Sequence, residues 1–212
     1  MKIKIIVFFL YAGMFLLSGC EPLIYTAKDA KEIMKSHKIV AILPFNVTYD
    51  LKSTEKLDMD KIKQQERNDG NFVQNQAYSF LLFKMDKYSI TFQDVNKTNA
   101  LLRNAGITSD SLLIKDKSDI AKVLGVDALF SGDVHTNKIM SEAAAIVIDL
   151  LTDFWAPTNR VEINSTVYNG ADGKLLWQYN YAIRGGITSS QERMTRRLMQ
   201  EISWVFPYRV KS

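Results

Sequence analysis

Residues 124–135 read LGVDALFSGDVH, a stretch that joins the end of a helix to a strand. Gly125 suits the position after a helix, where a left-handed backbone is common. The ten residues Val126–His135 that follow predict a strand. Upstream, residues 39–43 read IVAIL, an apolar run without alternation that Pro44 stops. Such a run is typical of a central strand buried on both faces, and the two stretches together predict a layered α/β fold.

The rest of the chain adds helices and strands around this centre. Helical spacing predicts a helix from Phe72 to about Tyr88, and a strand Ser89–Gln93 follows. We also expect two short helices, Lys97–Asn104 and Ser118–Leu124. A hairpin over residues 161–183 and a last helix from Ser189 onward should follow. Asn46–Asn71, dense in charged and amide residues, is expected to be a long polar loop. The predicted fold class is α/β, with a mixed sheet of about five strands and helices packed against it as a layered sandwich.

The hairpin is the clearest all-strand signal. Asn169-Gly170 and Asp172-Gly173 supply residues that favour tight turns between its two strands. In the return strand Trp177, Tyr179 and Tyr181 alternate with mostly polar neighbours. Because alternation places them on one side of the sheet, we expect this aromatic row to be core, and a sugar-stacking surface is the weaker interpretation.

The first twenty residues, MKIKIIVFFLYAGMFLLSGC, form an export signal. Two lysines precede an apolar run that is too short for a membrane span, and small residues precede Cys20. This pattern is typical of a bacterial lipoprotein signal, with cleavage between Gly19 and Cys20 and lipidation of Cys20. The predicted organisation is a signal peptide over residues 1–19, a lipidated tether over residues 20–38 and a single α/β domain over residues 39–212.

Composition excludes several classes of function. The net charge is +4, and removing Lys2 and Lys4 with the signal would leave about +2. No basic stripe is present, so nucleic acid is not an expected partner. Cys20 is the only cysteine, so its lipidation would leave none for a disulfide or a thiolate metal site. No metal-ligand cluster, phosphate-binding glycine loop or dinucleotide motif is found, and no metal or cofactor is expected.

Three motifs in this order carry a family resemblance: VAILPF at 40–45, LGVDALFSGDV at 124–134 and DGKLLW at 172–177. The chain resembles the periplasmic lipoprotein superfamily related to the curli-secretion channel lipoprotein, the penicillin-binding-protein activator lipoprotein and the TolB N-terminal domain. That resemblance implies a mixed α/β sheet with helices against it. It also implies work as a scaffold, an activator or an oligomeric channel subunit rather than as an enzyme.

Asp133 and His135 form the only candidate for acid/base chemistry. They lie two residues apart on the predicted strand, so both side chains point to one face, together with Ser131. Three alternating residues of one strand cannot converge on one substrate atom as a catalytic triad must. A solvated or hydrogen-bonded strand face is therefore the favoured interpretation. A cell-envelope hydrolase using this pair is kept as an alternative, and the chain is predicted not to be an enzyme.

Residues Ser141–Trp155, SEAAAIVIDLLTDFW, have too little polar surface for a free helix. They are too short to cross a bilayer, for which about 20 residues are needed. Burial in the domain's own core, contact with a subunit or partner, and membrane contact are ranked in that order. Membrane contact comes last because the polar stripe is acidic rather than basic. The candidate contact residues are Ile146, Leu150, Phe154 and Trp155.

These observations predict a lipid-anchored, periplasm-facing lipoprotein that acts as a binding, scaffold or assembly component of the cell envelope. A subunit of an oligomeric secretion ring or channel is the alternative. The expected partners are the membrane, through the N-terminal lipid, and a second protein or another copy of this chain. Glu21 follows Cys20 where an Asp would signal inner-membrane retention in enteric bacteria, so the outer membrane, facing the periplasm, is the predicted location.

Overall fold

A computed structural model describes residues 22–49, 58–136, 161–183 and 191–210. The strands are β1 (Leu23–Thr26), β2 (Ile39–Ile42), β3 (Asn46–Tyr49), β4 (Thr91–Phe92), β5 (Ala128–Thr136), β6 (Val161–Asn169) and β7 (Leu175–Ile183). The helices are α1 (Ala30–Met34), α2 (Met59–Phe83), α3 (Val95–Asn104), α4 (Ser109–Ile114), α5 (Lys117–Leu124) and α6 (Gln191–Val205), with a short 3-10 turn at Met85–Lys87.

The seven strands form one mixed sheet in the order β1-β7-β6-β5-β2-β4, and β3 also pairs with β5. Strands β1, β7, β6 and β5 pair antiparallel in that order, whereas β2 and β3 pair in parallel with β5, and β4 pairs in parallel with β2. Helices cover both faces of this sheet. The predicted α/β layered fold is confirmed, and the described ranges contain seven strands where about five were expected.

Strand β2 lies at the centre of the parallel half, between β4 and β5. Val40 and Ile42 face the larger core with α2 and α6, and Ala41 faces the smaller core with α3, α4 and α5. Both faces of the strand are therefore buried, which explains its apolar run without alternation. Gly125 has a φ of 67°, the left-handed conformation predicted at the end of α5.

The hairpin of β6 and β7 forms the antiparallel half of the sheet. Trp177 and Tyr179 are buried and stack with their rings 5.9 Å apart, and Tyr181 is half-buried against them. The prediction of an aromatic core row is confirmed. Gly173, with a φ of 72°, takes the left-handed position of the connecting turn.

Pro44 separates β2 from β3, and helix α2 lies against this break. The amide nitrogen of Phe45 donates to the carbonyl oxygen of Gly70, at 3.2 Å. A Cβ atom on Gly70 would stand 2.1 Å from the carbonyl oxygen of Phe45. On the other side, a Cβ on Gly132 would lie 2.3 Å from the Phe45 ring. Two glycines thus make room for the backbone and the ring of one residue.

The predicted polar loop Asn46–Asn71 is wrong. Residues 46–49 form strand β3, and α2 begins at Met59, where the Asp58 side chain accepts from the backbone amides of Asp60 and Lys61. Between Met59 and Asp69 only Ile62 and Asp69 are buried. The first part of α2 therefore shows no apolar periodicity from which a helix could be predicted. The amphipathic part of this helix starts only at Gly70.

The predicted tether over residues 20–38 is also wrong for its described part. Strand β1 pairs antiparallel with β7, Leu23 opposite Asn180, and α1 follows it. Ala30 and Met34 of α1 are buried in the larger core. The folded domain thus includes Leu23 and does not begin at Ile39.

His37, expected in the tether, is 4% exposed and joins three parts of the fold. The amide nitrogen of Asn169 donates to Asp172 at 2.7 Å, so its oxygen faces His37 and accepts from Nε2 at 3.1 Å. Nδ1 then accepts from the hydroxyl of Tyr208, at 2.7 Å. Neutral imidazole satisfies both partners, and burial lowers the pKa of His37, an effect that Asn169 and Asp127 partly oppose.

This histidine predicts a loss of stability in acid. Because the folded pKa lies below the unfolded value of about 6.5, the unfolded chain takes the proton first. The contribution of neutral His37 is complete above that value and is lost as the pH falls through the folded pKa. We expect His37→Gln to lower the free energy of unfolding by about 1–3 kcal/mol at pH 7.5, by leaving buried partners unsatisfied. The deficit relative to wild type should shrink at pH 5.5.

Urea unfolding at both pH values measures this effect. The control is His135→Gln, which changes the only other histidine, an exposed one. Because the His135 side chain is exposed, its replacement should change the free energy of unfolding by about 0.5 kcal/mol or less. A deficit for His37→Gln that stays constant with pH would contradict the assignment.

Candidate functional site

A cleft of about 340 Å³ opens beside the break between β2 and β3. Its floor is formed by the β2–β3 connection with β5 and β6, and its walls by α2 on one side and by α4 and the start of α5 on the other. The lining residues are Leu43, Pro44, Phe45, Asn46, Val47, Thr48, Lys63, Glu66, Arg67, Ser109, Asp110, Leu112, Leu113, Lys117, Ser131, Asp133, Thr166 and Tyr168.

The charges of the cleft are mixed. Lys63, Glu66 and Arg67 line the α2 wall, Asp110 and Lys117 line the opposite wall, and Asp133 lies on the floor. Both signs of charge are therefore presented over a short distance. Such a lining suits a partner that itself carries both signs or hydrogen-bonding groups, and it gives no single-sign field for a polyanion.

Lys117 is the most constrained charged group of the cleft. It is half-buried, its ammonium donates to the carbonyl oxygen of Leu112, and it lies 5.8 Å from the centre of the Tyr168 ring. Burial lowers the pKa of Lys117, and the carboxylates of Asp133 and Asp116 partly oppose this. The ammonium caps the C-terminal end of α4, so Lys117 also has a structural role.

The three residues of the predicted acid/base face lie on β5 as expected, but they do not converge. The Asn46 side chain donates to Asp133 at 3.0 Å, and Thr48 shares a hydrogen bond with Nδ1 of exposed His135. These pairs follow from the parallel register, in which Asn46 and Thr48 stand opposite Asp133 and His135. Asp133 and His135 thus each bond to a residue of β3, and the favoured interpretation of a hydrogen-bonded strand face fits this geometry.

Glu66 and Asp69 of α2 fasten the outer end of β3, a role that sequence reasoning missed. Glu66 accepts from the backbone amide of Tyr49 at 3.0 Å, and burial raises the pKa of Glu66, an effect that Lys63 and Arg67 oppose. Buried Asp69 accepts from the Tyr49 hydroxyl and from Gln65, the latter at 2.9 Å. Recognising α2 as a helix would have placed both carboxylates on its inner side.

The polar floor of the cleft continues across the hairpin. Thr166 donates to the carbonyl oxygen of Ser131 at 3.4 Å, and Gln178 and Asn180 follow on the next strand at half-buried positions. The opposite face of the same strands is the aromatic core. The sequence pattern of one buried and one polar face is therefore confirmed.

Several predicted site residues lie outside the described ranges. These are Gly19 and Cys20 at the predicted cleavage and lipidation site, and the contact candidates Ile146, Leu150, Phe154 and Trp155. The predicted start of the last helix at Ser189 also lies outside these ranges, and the described helix α6 begins at Gln191. Within the described ranges no helix has the length and apolarity to span a membrane, and no three potential ligands gather as a metal site would require.

Comparison with known proteins gives similarity in structure alone. No protein-family model and no curated protein sequence matches the chain. Lipoprotein GNA1162 from Neisseria meningitidis is 11% identical, covering 77% of this chain and 92% of its own, with a TM-score of 0.41. A PelC dodecamer from Paraburkholderia phytofirmans is 8% identical, covering 91% and 99%, with a TM-score of 0.45. The LpoB C-terminal domain from Salmonella enterica is 9% identical, covering 73% and 92%, with a TM-score of 0.35.

All three TM-scores are below 0.5, and all three identities are 11% or lower.

Proposed function

We propose that this chain is a lipid-anchored lipoprotein of the bacterial cell envelope, acylated on Cys20 and facing the periplasm, in the outer membrane. The main evidence for the anchor is the order of features in the N-terminal signal: lysines, an apolar run, then Leu17-Ser18-Gly19-Cys20. The use of the chain's single cysteine at this position supports it further.

The proposed task is binding, as a scaffold or assembly component, and the cleft is the surface that receives the partner. Its volume of about 340 Å³ falls at the lower end of the size range of small-molecule and cofactor pockets. Its lining combines both signs of charge with Leu113, an apolar side chain that is 54% exposed. An exposed apolar residue within a rim of charges is the arrangement expected of a surface that a protein segment covers.

Photo-crosslinking in cells tests this function with two adjacent positions. Leu113 lines the cleft, whereas Ile114 is 89% exposed and does not. With benzoylphenylalanine in place of Leu113 we expect one reproducible adduct, identified by mass spectrometry as a protein partner or as a second copy of this chain. The same amino acid at Ile114 should give none. Arg67→Glu, which inverts a charge on the α2 wall, should reduce the Leu113 adduct several-fold.

Absence of an adduct from Leu113, or equal adducts from both positions, would remove the cleft from the proposal. Survival of the Leu113 adduct in the Arg67→Glu variant would show that the charges of the α2 wall do not take part.

A further inference from the structure

Among the described residues, strand β1 is an end strand of the sheet, and it exposes three consecutive apolar side chains. Leu23 is 72% exposed, Ile24 is 50% exposed and Tyr25 is 51% exposed. Neighbouring residues of a strand point to opposite faces, so the apolar surface wraps around the edge instead of covering one face. A packed helix or second sheet would cover alternate residues only. A boundary that meets the sheet edge-on would cover all three.

The predicted anchor is next to this edge in the sequence. Only Glu21 and Pro22 separate Cys20 from Leu23, and three residues span at most about 11 Å when fully extended. Because β1 is part of the folded sheet, no long tether lies between the lipid and the domain. The edge strand is therefore held close to the membrane surface by chain length alone.

We propose that the β1 edge of the sheet rests on the membrane surface at the level of the lipid headgroups, an inference that rests on the proposed acylation of Cys20. Tyrosine is enriched at this depth, where its ring meets apolar surface and its hydroxyl meets water. Exposed Lys28 and Lys31 follow the strand and would face anionic headgroups. Deeper insertion is disfavoured, because the outer backbone groups of an edge strand need water or a partner.

A second copy of this chain fits the edge less well. Pairing along β1 would satisfy its backbone groups, but Leu23 and Ile24 would still project from opposite faces of the extended sheet. The lipid surface covers both side chains and is already close by.

This contact would also orient the domain. Counting neighbours at about 4.8 Å, β3 lies four strand spacings from β1, about 19 Å across the sheet. With β1 on the membrane, the break between β2 and β3 beside the cleft would lie about 19 Å from the membrane surface, where a periplasmic partner could reach it.

The test uses the full mature chain, purified in detergent and reconstituted into vesicles of phosphatidylethanolamine and phosphatidylglycerol. Intact mass first shows whether Cys20 is acylated. A lipidated Cys20 cannot react with a maleimide dye, so the dye then labels only the introduced cysteine. Leu23→Cys then carries an environment-sensitive fluorophore, and Phe83→Cys, whose parent side chain is 86% exposed, is the control. Lipids with a nitroxide near the headgroup should quench the Leu23 position at least twofold more than the Phe83 position. Lipids with a nitroxide at the chain end should quench it less.

Each outcome separates the two proposals. A mature chain without the acyl mass would overturn the proposed anchor. An acylated chain whose Leu23 and Phe83 positions are quenched equally would overturn the membrane contact and leave the anchor standing. A blue-shifted Leu23 fluorophore that nitroxide lipids do not quench, together with crosslinked dimers, would assign the edge to a second copy instead.

Discussion

Phe206→Ala is expected to lower the free energy of unfolding by about 3–5 kcal/mol. Phe206 is 2% exposed and follows α6, the last helix of the chain. Its ring contacts five others at centroid distances of 5.2 to 6.0 Å: those of Tyr88, Phe92, Phe130, Trp177 and Tyr208. Phe92, Phe130 and Trp177 lie in strands of both halves of the sheet, Tyr88 precedes β4, and Tyr208 lies in the C-terminal segment. Truncation would leave a cavity between elements that are far apart in sequence, where relaxation is difficult.

Urea unfolding followed by circular dichroism measures this loss. Phe83→Ala is the matched control, because the same truncation at a side chain that is 86% exposed should change the free energy by about 0.5 kcal/mol or less. The free energy of unfolding of a small domain is about 5–15 kcal/mol. The Phe206 variant should therefore lose a large share of it, and should be partly unfolded if the wild-type value is near the lower end of this range. Equal effects of the two truncations would show that the aromatic cluster does not hold the sheet to α6.

The parts of the fold that sequence could predict are those with a local signal. Strand β2 is buried on both faces and therefore reads as an uninterrupted apolar run. The hairpin carries its turn residues between two alternating strands, and Gly125 marks the end of α5. In each case the deciding residues lie in one continuous stretch of sequence, so the physical cause is visible there.

The elements that could not be predicted from the sequence lack such a local signal. Strand β1 exposes Leu23, Ile24 and Tyr25, so neither alternation nor burial distinguishes it from a tether. The first part of α2 turns a polar face to solvent and buries little besides Ile62 and Asp69. His37 is fixed by Asn169 and Tyr208, partners more than 130 positions away.

The candidate site was the least predictable feature. Asp133 and Ser131 could be placed on one strand face, but the cleft also needs α2, α4 and the start of α5. Lys117, Arg67 and Leu113 come from these separate elements and share no spacing in sequence. In the sequence, Pro44 predicts only the end of a strand. It does not indicate the cleft beside that break.

Gly70→Ala is the second large effect, and helix propensity predicts the opposite sign. In an exposed helix interior, alanine is more favourable than glycine by about 1 kcal/mol. Here an added Cβ would stand 2.1 Å from the carbonyl oxygen of Phe45, a backbone atom that cannot rotate away. Either α2 or the connection from β2 to β3 must move, and the hydrogen bond from the Phe45 amide to Gly70 would be strained. We expect a net loss of about 1–3 kcal/mol, the usual cost of overpacking.

Asn71→Ala, at the exposed next position of the same helix, is the control and should be neutral or slightly stabilising. Chemical unfolding of both variants gives the comparison. Because Phe45 and its neighbours line the cleft, the Gly70 variant should also lose crosslinking from the Leu113 position, even under conditions where it remains folded. A Gly70→Ala protein as stable as Asn71→Ala would mean that α2 does not approach the strand break as closely as the contact requires.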